Sequence, residues 1–592
     1  MEQYWSLDEL YPSFETESYR EDYAQLLKEL TALQTWSELN LKTQTAARTK
    51  IAAYLERIIK IHRLYLCLSE FASLSISIDA KNEQASKQLD RLEEAFTKIT
   101  RPTTIFLKWL AKVENLEKLI ASNQYLQEHQ FYLKELVKES EHLLSENEEE
   151  LLAKLKTTGS SAWSKLREHL TATLMIKFQA EETEQLLPLS VIRNFAYSPD
   201  QKVRKAAYEA ELASYPQIED ATAACLNAIK GEVLNITKMR GHETPLDEAL
   251  NKSRIDLMTL ETMFAAIQEA LPTFRQYYRK KAELLGHEGG LPFYELFAPL
   301  GNSDHLYSYP EAQEIIIESF ATFNQKMADY AKVAFEKRWI DAAPREGKRG
   351  GAFCSNLHSI QESRILCNFN GYYDNITTIA HELGHGYHGQ MLINETILNA
   401  EYPMTIAETA SIFAETIVMK KALADANQAE KLMIIENDLA SAGQVIIDIY
   451  SRYLFETKVF EKRTKGSLSS QELQAIMLEA QKNAYGDGLN HEFLHPYMWI
   501  NKPHYYYAET NFYNFPYAFG LLFSKGLYAE YQKRGTDFVA NYDTLLKASG
   551  KHQLTSLAGL IGINLREIDF WRASLKTIQE EIEEFLKLDK EI

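Results

Sequence analysis

Apolar positions recur at three- and four-residue spacing early in the chain, at Tyr19, Tyr23, Leu26, Leu27, Leu30 and Leu33. This period lines one face of an α-helix that has to bury against a neighbour. No glycine precedes Gly159, and only Pro12 and Pro102 interrupt that stretch, so helix is expected over most of the first quarter. The pattern changes at 171–178, where TATLMIKF has the composition of a strand, and Ser198-Pro199-Asp200 then marks a helix start. A border placed there divides the chain into an N-terminal helical domain, 1–200, and a second domain, 201–592. Helical periodicity returns over 207–267 and gives way to an irregular excursion where Gly286, Gly289, Gly290, Pro292, Pro299 and Gly301 crowd together.

Seven glycines fall between positions 347 and 389, which indicates that something approaches the backbone closely there. Within this stretch RILCNFN (364–370) reads as a short strand, and Asp374 or Thr377 can cap the helix that follows. Further on, Pro403 can open a helix in which Ile406, Phe413 and Ile417 form the buried stripe while Glu408 and Glu415 share a different face.

Composition narrows the possible functions. Glycine and proline together number 24 + 15 residues, well below average usage, which again favours a mainly α fold. The charge balance, 64 − 83 = −19, argues against a nucleic-acid partner, because phosphate attraction needs clustered Lys and Arg. Four cysteines without C-x-x-C spacing suggest neither a disulfide framework nor a cysteine zinc site. The acidic start, MEQYWSLDELYPSF, lacks the basic and apolar regions of a secretion signal, and no apolar run approaches a membrane span. A cytoplasmic location with no membrane partner is the expectation.

Seven of the fifteen histidines lie between positions 358 and 504, and the chemistry concentrates with them. His381-Glu382-Leu383-Gly384-His385 is an H-E-x-x-H sequence on a helical pattern. Residues four apart share one helix face, so both imidazoles can reach one ion, while Glu382, about 100° round, is suited to act as base on a water. A second copy, His491 to His495, is followed at once by Pro496, which disfavours helix there and demotes it. A catalytic zinc takes three protein ligands and keeps one open position. His388 lies about 10 Å of helical rise from His381, too far to share the ion, and reads as a packed residue. Glu408, 23 residues after His385, can turn back to complete a His-His-Glu site, with Glu415 able to orient a ligand histidine. Gly384 and Gly386 are unfavourable inside a helix unless another backbone packs closely, and the Glu408 helix is the candidate. Such a site serves peptide hydrolysis, and the segment 502–520, with His504 among Tyr505, Tyr506, Tyr507, Tyr513 and Tyr517, offers donors for the oxyanion.

The combination of RGGAF (349–353), NFNGYYDNITTIAHELGHGYH (368–388), IAETAS (406–411) and HYYYAETNFYNFPYAFG (504–520) resembles the oligoendopeptidase F family, relatives of thimet oligopeptidase. WSLDELYPSF and SPDQKVRKAAYEA (198–210) are similar too, so the likeness covers nearly the whole chain. The resemblance implies a large helical ellipsoid with a deep central channel that admits short unfolded peptides, and a small β-sheet beside one zinc ion. By motif, His381, His385 and Glu408 would be ligands and Glu382 the base. His504 with Tyr513 and Tyr517 would donate to the oxyanion, and the RILCNFN strand would pair with substrate backbone. The expected activity is that of a zinc endopeptidase of oligopeptides. A zinc carboxypeptidase on a similar scaffold and a non-catalytic peptide binder are the rivals.

Overall fold

A computed structural model of the chain describes residues 3–180, 183–300 and 305–588. Helices account for most of these, as the scarcity of breakers requires, and the sheets are small. The chain forms two compact units, each assembled from three separated stretches: 1–143 with 305–421 and 530–562, and 144–304 with 422–529 and 563–592. Residue 200, the border drawn from the sequence, lies inside the second unit and marks no boundary between the two.

In the first unit, helices α1 (Glu17–Asn40) and α2 (Ala47–Ile78) pack on each other along the stripe read from the sequence. Tyr19, Leu26, Leu30 and Leu33 are buried, and Tyr23 and Leu27 pack at the edge of the same core. That core continues into Leu357, Leu366, Ile397 and Leu398, which explains why the N-terminal helices belong with the segment that begins at 305. Helix α3 (Gln325–Glu336) precedes a three-stranded sheet of β1 (Ile340–Asp341), β2 (Phe353–Leu357) and β3 (Glu362–Leu366). The order is β1-β3-β2, with β1 parallel and β2 antiparallel to β3. Fully buried Arg364 on β3 ties the N-terminal segment to this sheet, donating to the Ser6 carbonyl at 2.6 Å and pairing with Glu9 and Glu362, each at 2.9 Å.

Three helices follow: α4 (Tyr373–Met391), α5 (Met404–Ala407) and α6 (Thr409–Asp425). Helix α4 starts at Tyr373, so neither Asp374 nor Thr377 caps it: Asp374 already lies in the first turn, and the Thr377 hydroxyl donates to the Asp374 carbonyl. The helix expected after Pro403 is present but broken at Glu408, between α5 and α6, while Ile406, Phe413 and Ile417 form the buried stripe as expected.

The second unit holds the strand-like segment near 171, which pairs Met175–Ala180 with Thr183–Pro188 as an antiparallel hairpin. Asp200 caps the helix Gln201–Ser214 by accepting from the Lys202 N–H. Gly301, part of the crowded stretch near 290, lies outside the described residues. Among the described residues no helix is long and apolar enough to cross a membrane.

Candidate metal centre

His381 and His385 stand one turn apart on α4 and direct their Nε2 atoms toward each other, 3.1 Å apart. Glu408, at the break between α5 and α6, brings one carboxylate oxygen to 3.3 Å from His381 Nε2 and 3.5 Å from His385 Nε2. Ligand bonds of about 2.0–2.1 Å at tetrahedral angles separate donor atoms by about 3.3 Å, so three such edges enclose a position for one divalent ion. The three residues form a ligand group in which every donor lies within 4.8 Å of the others.

The protonation chemistry supports the same reading. His381 Nδ1 donates to Glu415 Oε1 at 2.9 Å, which turns the other ring nitrogen, Nε2, toward the common centre. Burial alone would lower the His381 pKa, but the carboxylates of Glu408 and Glu415 reverse this and push it up to about 10. Burial would raise Glu408, and the two imidazoles overcome that and hold it well below the usual carboxylate range. The cluster therefore favours a positive charge at its centre, and its His-His-carboxylate donors suit zinc.

Glu382 is 6% exposed and makes no hydrogen bond or ion pair among the described residues. Burial, partly offset by His381 and His385, raises its pKa, which makes it a stronger base than an ordinary carboxylate. His388 is fully buried and its Nε2 donates to Ser549 Oγ at 2.8 Å, since that hydroxyl is committed to the Leu546 carbonyl. Its ring stacks on Tyr402 at 4.1 Å, and burial keeps it neutral, with a pKa near 3. It is a packed residue, as its spacing required.

The glycines of α4 divide by what they admit. A Cβ on Gly384 would lie 2.5 Å from the Ala410 carbonyl oxygen and 2.6 Å from Ser411 Cα, so here the backbone of α6 does pack against α4. Gly386 instead faces the Tyr330 hydroxyl of α3, and Gly389 the Asn356 carboxamide of β2; these neighbours are side chains, not the Glu408 helix. Gly384→Ala is expected to force α4 and α6 apart, costing about 1–3 kcal/mol and widening the His-His-Glu triangle. A thermal melt checks this, and an unchanged melting temperature contradicts the close packing.

Among the described residues the second H-E-x-x-H sequence builds no such group. His491 to Phe493 form a single 3-10 turn, and His495 is buried with Nε2 3.1 Å from Glu211 and its N–H donated to Gln481. In the second unit His504, Tyr513 and Tyr517 come together: the Tyr513 and Tyr517 hydroxyls are 2.8 Å apart, and the His504 ring lies 5.8 Å from that of Tyr513. Phe512 holds the left-handed φ of 53° beside them, fixed by its N–H donating to Glu456 at 3.0 Å. His504 Nε2 is buried with no partner among the described residues. Burial, reinforced by Arg452, Lys502 and Lys230, depresses its pKa to about 2, so the ring is neutral.

Sequence reasoning missed Asn356 and Tyr330, although the glycines they face carried the signal that something approached the α4 backbone. It also assigned substrate pairing to the RILCNFN strand. Only 364–366 of that segment are strand, and β3 is the central strand with both sides occupied, so the sheet's edges are β1 and β2.

Comparison with known proteins extends these observations. The family described as Peptidase family M3 matches residues 194–577, and that described as Oligopeptidase F matches residues 111–175. The chain is 23% identical to Oligopeptidase PepF of Bacillus subtilis over 99% of its own length and 87% of that protein's. Its fold is similar to a crystal structure from Chlamydophila abortus, with a TM-score of 0.87 at 21% identity over 99% of this chain and 98% of that one. It is also similar in fold to oligoendopeptidase-F from Enterococcus faecium, with a TM-score of 0.70 at 18% identity over 96% and 99% of the two chains.

Proposed function

From the premise that the chain belongs to peptidase family M3, we propose that it is a zinc-dependent oligoendopeptidase, hydrolysing internal bonds of short unfolded peptides. The observation that carries this reading is the triangle of His381, His385 and Glu408 donor atoms, with edges of 3.1–3.5 Å, on the helix that also bears an unpartnered Glu382. His381, His385 and Glu408 would hold the zinc, which when bound would supply polarisation of the scissile carbonyl and lower the pKa of water to about 7.

The chain's own residues do the rest. Glu415 holds the His381 ring in the tautomer that presents Nε2. Glu382 takes the proton of the attacking water and passes it to the leaving amine, a transfer favoured by its raised pKa. The family resemblance assigns donation to the oxyanion to His504, which is neutral with Nε2 unpaired among the described residues, and to a hydroxyl of the Tyr513–Tyr517 pair. Substrate backbone adds to the sheet at the longer of its two edge strands, β2. His504→Ala is expected to lower kcat by about 10²-fold or more, the scale of a lost oxyanion donor, and an unchanged rate assigns His504 to packing instead.

An internally quenched peptide blocked at both ends tests the function. Cleavage within it supports an endopeptidase, whereas turnover only of peptides with a free carboxylate supports the carboxypeptidase alternative.

A further inference from the structure

The carbonyl of the ligand residue His385 is the end of a directional hydrogen-bond chain. Asn356 Nδ2 donates to it at 3.2 Å, Ser363 Oγ donates to Asn356 Oδ1 at 2.9 Å, and the Tyr330 hydroxyl donates to Ser363 Oγ at 3.0 Å. Only one proton arrangement satisfies all three contacts. A carbonyl has no proton to give, so the amide nitrogen of Asn356 must face it. Its amide oxygen then faces Ser363, whose proton is thereby committed, and the Ser363 oxygen is left to accept from Tyr330. Tyr330 and Ser363 are buried, so reversing any link would strand a polar group away from water.

Space for the chain is provided by α4 itself. The His385 carbonyl also accepts the helical N–H of the residue four positions on, which is Gly389, and a Cβ at Gly389 would overlap the Asn356 carboxamide. A Cβ at Gly386 would overlap the Tyr330 hydroxyl. Two helix-weakening glycines thus sit where a relay from α3 through the sheet reaches a metal-ligand residue.

We propose that Tyr330, Ser363 and Asn356 are positioning residues that set the rotation of α4 about its axis and so aim His381 and His385 at their common centre. Both imidazoles project from one face of the helix, so a rotation displaces them together relative to Glu408, which is carried at the break between α5 and α6. Gly384 fixes how close α4 comes to α6, and the relay fixes which way α4 faces. The inference rests on the proposed metal centre and extends it to residues that do not touch the ion.

The test uses the full chain loaded with cobalt(II), reading metal affinity and the visible ligand-field spectrum. Asn356→Asp keeps the side-chain shape but replaces the donor to the His385 carbonyl with a carboxylate oxygen. It is expected to weaken metal binding by about 10–100-fold, the scale for partners that orient ligands, and to shift the cobalt spectrum, with kcat falling more than KM rises. Tyr330→Phe removes one hydroxyl without adding volume and is expected to move the same readouts in the same direction by less, and it decides the matter should Asn356→Asp not fold. Wild-type affinity and spectrum in Tyr330→Phe and in any folded Asn356→Asp overturn the relay alone. A wild-type chain that binds no cobalt overturns the metal centre and the relay with it.

Discussion

Glu382→Gln is expected to keep its metal and lose activity, with kcat reduced by about 10²–10⁴-fold, the range of a positioned general base. The substitution preserves size and hydrogen-bonding capacity, but an amide cannot accept the proton of the attacking water. The carboxyl lies outside the triangle formed by His381, His385 and Glu408, so its loss leaves the ligand set intact. Because Glu382 makes no hydrogen bond or ion pair among the described residues, the change breaks none and leaves the fold unaffected. Steady-state kinetics with metal analysis of the same sample check the claim. Near-normal kcat in a metal-replete variant removes Glu382 from the role of base.

Glu408→Ala is expected to have the larger effect, abolishing both stable metal binding and turnover. Two imidazoles 3.1 Å apart without the third donor leave an ion with too few protein ligands, and their lone pairs then compete for a proton instead. Glu415→Gln makes an instructive contrast. It keeps the His-His-Glu triangle but weakens the partner of His381 Nδ1, so metal affinity should fall by about 10–100-fold without being lost. Equilibrium dialysis separates the two outcomes. Equal metal affinity in Glu408→Ala and Glu415→Gln contradicts the division into ligand and orienting carboxylate.

The parts of this site legible in the sequence were those governed by local geometry. Helical spacing alone placed His381 and His385 on one face, removed His388 from the ligand set and put Glu408 on a face distinct from Ile406 and Phe413. Proline at 496 correctly demoted the second H-E-x-x-H sequence, whose His495 is spent on Glu211 and Gln481. What escaped depended on residues distant in the chain. The strand order places RILCNFN in the middle of the sheet because β1 pairs with it from one side and β2 from the other, and a single strand's composition does not reveal its neighbours. Gly386 signalled a close approach but not its source, since Tyr330 arrives from a helix more than fifty positions earlier. The border at residue 200 followed a local change of pattern, whereas the first unit is held together by apolar side chains as far apart as Leu26 and Leu398.

Elemental analysis of the purified chain beside Glu408→Ala tests the central claim most directly. The account predicts one zinc per chain in the wild type and in Glu382→Gln, and none retained by Glu408→Ala after dialysis. Full zinc occupancy in Glu408→Ala, or a wild-type chain that cleaves peptides with no divalent metal bound, would contradict it.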